Sequence, residues 1–328
     1  LYKLLIAFFL IVSQTTLAQN PVELKLATIA PEGSAWLNRF RHASELIFHQ
    51  TDGRVNIRWY AGGVMGSESQ VLQKIRFGQL QGGMFTASGI LDRYPGLNTY
   101  TIPFLFQNDN EIALVREEFD HQLISGLYDT GFTSYGLISG GNAYVMSTAP
   151  IESLDDLSRM RVWTPEGDPV GYATLESLGL PAVILPLGDV LLGLQTGLID
   201  VAAATPSAGL ILQWHTAIQY IIDLPVAYTI GSLLIDNRSI SKISPEDQSI
   251  LSNHLSNASL DLDRLAASDN EEALAVLQSL GINMISIDNQ QVDLWYQKVE
   301  TSINLLGDRK DVDQLGFKNI LEFLNNHR

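Results

Sequence analysis

Cysteine is absent from all 328 residues, and that one absence removes disulfides, thiolate metal sites and cysteine nucleophiles together. Without cross-links the fold must rest on buried apolar surface, and a chain of this length has enough to bury. Basic residues are scarce: 20 Lys and Arg stand against 36 Asp and Glu, for a net charge of −16. Nucleic acid is thereby excluded as a partner, because its affinity comes from neutralised phosphates. Catalytic signatures are missing too. The six histidines (His42, His49, His121, His215, His254 and His327) form no pair at metal-ligand spacing beside a carboxylate motif. There is no Gly-x-Ser-x-Gly elbow, Walker loop or Gly-x-Gly-x-x-Gly fingerprint, and Gly62-Gly63 and Gly82-Gly83 read as turns. No cofactor or metal is expected, and an enzyme is disfavoured, although a catalytic group assembled only in three dimensions stays open.

The first residues read as a secretory signal. Lys3 gives a short positive start, and residues 4–12 form an apolar run too short to span a bilayer. Thr16-Leu17-Ala18 then places small residues where a signal peptidase inspects the chain. Residues 1–18 are therefore expected to be removed after Ala18. No later run approaches the roughly 18 apolar residues of a membrane-spanning helix.

From Val22 onward, strand and helix patterns alternate, which predicts an α/β fold. Residues 23–29 alternate as a strand. Ser34 caps a helix that runs to about Gln50, with Trp36, Phe40, Ala43 and Ile47 on one stripe. After the Thr51-Asp52-Gly53-Arg54 turn come a strand at 55–60, a loop at 62–67, a helix through Val71, Leu72 and Ile75, and a short strand at 82–87. This repetition predicts a parallel sheet, in which ligands sit beyond the carboxyl ends of the strands. A second set of strands is expected near 133–138, 160–163, 183–186 and 199–203, and one at 230–236 returns to the first unit. Ser244-Pro245-Glu246-Asp247 opens a helix that runs past Leu265 and Ala275. It reads as a bridge between two domains; a coiled coil is the alternative, but its heptads are not sustained. Residues 292–327 are expected to form helices on the second domain. The expected division is 19–142 with 230–270 as domain I, and 143–229 with 271–328 as domain II.

Several segments resemble one family. Ala27-Thr28-Ile29-Ala30-Pro31-Glu32-Gly33-Ser34 with Trp36, and Ala61-Gly62-Gly63-Val64-Met65-Gly66-Ser67-Glu68, are similar to the first two loops of the DctP-type solute-binding proteins of TRAP transporters. Ile102-Pro103-Phe104-Leu105-Phe106, Ser153-Leu154-Asp155-Asp156-Leu157, Trp163-Thr164-Pro165-Glu166-Gly167-Asp168-Pro169, Pro186-Leu187-Gly188-Asp189-Val190 and Leu194-Gln195-Thr196-Gly197-Leu198-Ile199-Asp200 continue the likeness. The resemblance covers about residues 24–280. It implies a two-lobed periplasmic-binding-protein fold with a ligand cleft, crossing strands and a long bridging helix. It also implies a periplasmic location, a small organic solute, capture by hinge closure, no chemistry on the ligand, and two integral membrane subunits that use an ion gradient. A receptor for an ABC-type importer and a secreted enzyme on a similar scaffold are the alternatives.

Departures from the family pattern bear on the ligand. Trp163 stands where most members carry an arginine that forks onto a ligand carboxylate, and an indole offers one donor and no charge. Ala204 and Ala143 stand where the family often has asparagine and a second arginine. Each lost charge-assisted bond is worth about 1.5–3 kcal/mol, so the expected solute is not a simple arginine-anchored carboxylate but a neutral, aromatic or hydroxylated one. Arg161 shares a strand face with Trp163 and either compensates or only covers the domain surface. The pocket residues expected from the resemblance and from strand-end placement are Glu32, Trp36, Ser67, Thr86 and Asn142, with Trp163, Glu166, Thr205, Trp214 and Tyr228. Trp163 would be a stacking floor or apolar wall, with a plain core tryptophan as the alternative. Asp189, Gln195 and Asp200 are expected to fix the scaffold nearby.

Overall fold

Leu24 and Leu26 alternate with Glu23 and Lys25, and both leucines are fully buried, as a strand paired within a covered sheet requires. The computed structural model describes residues 21–306 and 314–328, so the expected signal segment lies outside the described residues. This first strand is β1 (Val22–Ala27). It is followed by β2 (Val55–Tyr60), β3 (Gly82–Thr86), β4 (Phe132–Ser147), β5 (Val162–Pro165), β6 (Ala182–Leu185), β7 (Val201–Ala204), β8 (Tyr220–Asp236) and β9 (Asn283–Ile285). They form one sheet in the order β2-β1-β3-β8-β4-β7-β5-β6, with β9 added to β8.

Two lobes share that sheet. β1 is parallel to β2 and β3 in the first, and β5 is parallel to β6 and β7 in the second. β4 and β8 run antiparallel through both. One end of β8 pairs with β3, the other with β9, and the far end of β4 pairs with β7. The sequence reading found only the first part of β4 and the last part of β8, whereas the strands span 16 and 17 residues. Gly136, Gly140, Gly141 and Pro225 break their alternation, and register shifts between β4 and β8 absorb them. The expected boundaries at 142/143 and 229/230 both fall inside these strands.

Caps visible in the sequence set the helices. Ser34 Oγ accepts from the Leu37 amide at 3.3 Å and opens Ala35–Gln50, whose Leu37, Phe40, Ala43 and Ile47 are buried, with Trp36 only partly so. Ser244 Oγ accepts from the Asp247 amide at 3.1 Å and opens Pro245–Ser279, a helix of 35 residues and so about 50 Å long. This helix packs on Ala35–Gln50, along β4 and on Pro206–Ile211, and so bridges the lobes. Asn289–Leu306 lies against Pro169–Ser177. Gln314–His327, expected on the second domain, instead packs on Asp109–Asp129. There Ile320 and Leu324 join Val115, Leu123 and Leu127, and Arg328 Nε donates to Glu111 Oε1 at 2.9 Å. Among the described residues no helix is long and apolar enough to cross a membrane.

Candidate ligand-binding cleft

The carboxyl ends of the two parallel strand sets face each other. Residues 28–30, 66–70 and 86–89 of the first lobe and 163–168, 186–189 and 203–205 of the second line one cavity of about 1120 Å³. Along this cavity the lobes touch. The Asp168 carboxylate, which caps Pro169–Ser177 by accepting from the Gly171 amide at 2.9 Å, also accepts a hydrogen bond from Ser88 across the gap. Gly167 has φ +82°, and a Cβ there would lie 3.3 Å from the Ser88 carbonyl oxygen. Burial raises the Asp168 carboxyl above its ordinary value, against the hydrogen bonds it accepts.

Glu68, the first residue of the helix Glu68–Arg76, puts its carboxylate into this cavity. The residue as a whole is only partly covered, but its carboxylate accepts from the Thr86 amide and, at 2.9 Å, from the Thr86 hydroxyl. Burial pushes the carboxyl up to about 7; the Thr86 hydrogen bonds oppose that shift and the Glu166 charge adds to it. Glu68 closes the loop that resembles the family's second, in which Ser67 is the expected pocket residue. Its hydrogen-bond partner Thr86 is 18 residues away.

Seven of the ten expected residues border the cavity. Trp36, Ser67 and Thr86 come from the first lobe, Trp163, Glu166 and Thr205 from the second, and Tyr228 from β8. Ser67 and Thr205 double as helix caps, accepting from Gln70 at 3.4 Å and Ala208 at 3.2 Å. Trp163 is 8 % exposed; its indole N–H donates to the Leu185 carbonyl at 2.9 Å and its ring meets Trp214 edge-on at 5.7 Å. Its donor is thus occupied and its ring packs into the core of the second lobe while part of the residue borders the cavity. The other three do not reach the cavity. Trp214 is fully buried behind Trp163. Asn142 turns to Asp109, with Nδ2 donating to Oδ1 at 3.3 Å. Glu32 is 67 % exposed and pairs with Arg41. Asn142 lies within β4 rather than at a strand end, and Trp214 lies in a short turn ahead of β8, so strand-end placement does not hold for these two.

Asp189 borders the cavity, while Gln195 and Asp200 lie off it. Asp200 holds Arg161 in a fork, with Nε donating to Oδ2 at 2.8 Å and Nη2 to Oδ1 at 2.7 Å. Arg161 is half exposed and absent from the cavity wall, so the surface reading of this arginine holds. The Arg161 hydrogen bond in turn lowers the Asp200 carboxyl below its ordinary value.

The wall's charge is of one sign. Glu68, Asp92, Glu166, Asp168 and Asp189 border the cavity, and among the described residues no Lys, Arg or His does. Ala143 and Ala204 are on the wall as well, so both positions present methyl groups where the family pattern has polar anchors. No group of three or more His, Cys, Asp or Glu suited to a metal ion occurs among the described residues. Tyr228 links the wall to the crossing strands, because its hydroxyl accepts from Arg116 Nη1 at 3.4 Å and Arg116 Nη2 donates to the Leu137 carbonyl at 2.8 Å.

Solved structures share this architecture. The sugar acid binding protein of Advenella mimigardefordensis, in complex with galactonate, superposes with a TM-score of 0.86 at 16% identity, over 94% of this chain and 99% of that one. A TRAP periplasmic solute-binding protein of Haemophilus influenzae with bound L-gulonate gives 0.83 at 18% identity, over 93% and 99%. Among curated relatives, the ectoine-binding periplasmic protein TeaA of Halomonas elongata is 28% identical over 154 residues, 44% of this chain and 43% of that protein. A solute-binding protein of Chromohalobacter salexigens is 23% identical over 172 residues, 52% of this chain and 50% of that protein. The chain spans about half of the length of these two relatives. The family described as bacterial extracellular solute-binding protein, family 7 (DctP), matches residues 26–306, and with most of the chain so matched, the protein belongs to that family.

Proposed function

We propose that this protein is the extracytoplasmic receptor of a TRAP-type secondary transporter for a small organic solute without net negative charge. It works in the periplasm, takes the solute into the cleft by hinge closure, and presents it to integral membrane subunits. The single observation that carries the ligand class is the all-acidic cavity wall. An ionised carboxylate taken into a closed site needs a cationic or multiple hydrogen-bond partner to offset its lost hydration, and here it would meet carboxylates instead. The structural relatives were solved with galactonate and L-gulonate, both acids, so the ligand class proposed here differs from theirs on a shared fold.

Binding follows from the geometry. Glu68 and Glu166 accept hydrogen bonds from hydroxyl or N–H groups, and Trp36 and Trp163 supply apolar surface. The approach of Ser88 to Gly167 and Asp168 joins the two lobes beside the cavity, and this contact is the latch of the proposed closure. The two units divide within β4, β8 and the long helix, near residues 142/143, 229/230 and 270/271, with the closing helix Gln314–His327 lying on the first unit. Native mass spectrometry of the purified protein, followed by a thermal-shift panel, tests the reading. Neutral polyols, sugars and aromatic amides should raise the melting temperature, and D-glucuronate, L-gulonate and orotate should not. Stabilisation by the acids alone sinks the ligand class.

A further inference from the structure

Gly140 and Gly141 sit on β4 between its first-lobe and second-lobe halves. Ser139 pairs with Ile230 and Gly141 with Thr229, so Gly140 is the extra residue of a bulge. The bulge is closely fitted. Thr229 Oγ1 donates to the Gly141 carbonyl at 2.9 Å, and Ser139 Oγ accepts from the Gly141 amide at 3.0 Å. A Cβ on Gly140 would lie 2.2 Å from Thr229 Oγ1. Gly141 has φ +93°, which favours glycine, and a Cβ there would lie 2.5 Å from Nδ2 of Asn270.

Asn270 belongs to the long helix Pro245–Ser279 and stands where its expected division falls. Its Nδ2 donates to the Gly140 carbonyl and to the Ala266 carbonyl, each at 2.7 Å, and its Oδ1 accepts from the Ser207 amide at 3.0 Å. The reverse orientation would set an NH2 group against the Ser207 N–H and an oxygen against two carbonyls, so only this one satisfies all three partners. At the start of Pro206–Ile211, Pro206 has no N–H and Thr205 Oγ1 accepts from the Ala208 amide at 3.2 Å, which leaves the Ser207 amide to Asn270. Thr205 and Ser207 border the cavity from the second lobe, and Gly140 and Thr229 border it from the crossing strands. One side-chain amide therefore ties the bridging helix, the β4 bulge and the second-lobe rim together.

We propose that Asn270 is a positioning residue for solute capture: by holding the Ser207 rim to the Gly140 bulge it favours the joined arrangement of the lobes, and its release lets them part. The inference rests on the receptor reading above and adds to the Ser88 contact a second control of closure, at the crossing strands.

Because the chain has no cysteine, Glu45→Cys and Glu176→Cys place unique spin labels on exposed positions of Ala35–Gln50 and Pro169–Ser177, one in each lobe. Pulsed electron paramagnetic resonance on the dialysed full chain reads the separation of the labels, with the melting temperature recorded alongside. Asn270→Leu should shift the balance from the shorter to the longer separation about threefold to tenfold. Asn270→Asp, which keeps the acceptor for Ser207 but loses the donor to Gly140, should shift it in the same direction. So should Gly141→Ala, which crowds Nδ2, and adding it to Asn270→Leu should bring no further shift. Equal separations in wild type and all variants, or a lower melting temperature with the separations unmoved, overturn the proposal. The two readings fail separately: stabilisation by D-glucuronate alone removes the uncharged-solute reading and leaves the label separations standing. Neutral solutes that bind while every variant keeps the wild-type separations remove the role of Asn270 alone.

Discussion

Arg116 and Asp263 meet at the crossing strands: Nη1 donates to Oδ1 at 2.6 Å, and the same carboxylate oxygen accepts from the Ser139 amide at 2.7 Å. Arg116 belongs to Asp109–Asp129, Asp263 to the long bridging helix, and Ser139 adjoins a register shift in β4. One ion pair therefore fixes two helices and a bulged strand at the point where the lobes join.

Removing Arg116 leaves the partly buried carboxylates of Asp263 and Asp120 without their cation. Arg116→Leu should lower stability by about 3 kcal/mol, the low end for a broken buried pair because the site is partly wet. Urea denaturation checks this, and a loss under about 1 kcal/mol would mean the pair behaves as a surface one.

Glu68 makes stability depend on pH in an unusual direction for a carboxylate. Its folded value of about 7 lies above its ordinary 4.5, so the native state holds the proton more tightly than the unfolded chain. The stability it contributes is present below about 4.5 and is lost as pH rises through about 7. The shift corresponds to about 3 kcal/mol. Glu68→Gln should abolish this decline, so that the variant gains on wild type between pH 5 and about 8. Parallel slopes for the two proteins would refute it.

Gly167 is suited to the contact between the lobes because a side chain there is doubly disfavoured. Its φ of +82° is costly for residues with a Cβ, by about 1–2 kcal/mol, and the added atom would press on the Ser88 carbonyl. Gly167→Val should therefore favour the open form and weaken solute binding about tenfold, with a larger radius of gyration in solution scattering. Unchanged scattering and affinity would show that this contact does not control closure.

Trp163 and Arg161, two residues apart, should answer mutation in opposite ways. Trp163→Ala empties the space between Leu185 and Trp214 and should cost about 3–5 kcal/mol. Arg161→Ala breaks a half-exposed pair with Asp200 and should cost about 1 kcal/mol or less, with solute affinity intact. Loss of binding in Arg161→Ala at unchanged stability would reverse the assignment of that side chain to the surface.

Local signals carried much of this fold. The alternation in β1 and β2, the serine caps at Ser34 and Ser244 and the proline after Ser244 all act within a few residues, so a sequence displays them directly. β8 was only half visible because Pro225 interrupts its alternation, and only pairing with β4 reveals it as one strand. Strand-end placement found Thr86, Glu166 and Thr205 but equally suggested Glu32 and Asn142, whose side chains turn to Arg41 and Asp109. Trp163 and Trp214 look alike in sequence, and depth alone separates a wall from the core behind it. Glu68 and Asn270 owe their interest to what surrounds them in space, which no spacing records.

Because β4 and β8 each contribute one half to either lobe, the lobes are not modules. Neither can be cut out as a continuous piece of chain, and an exchange of one lobe with a relative would have to splice through both strands and the bridging helix while keeping every register shift. New specificity is reached more directly at the turns following β3, β5 and β7, which border the cavity while leaving the shared strands untouched. In this architecture recognition diversifies at the rims while the frame is inherited whole.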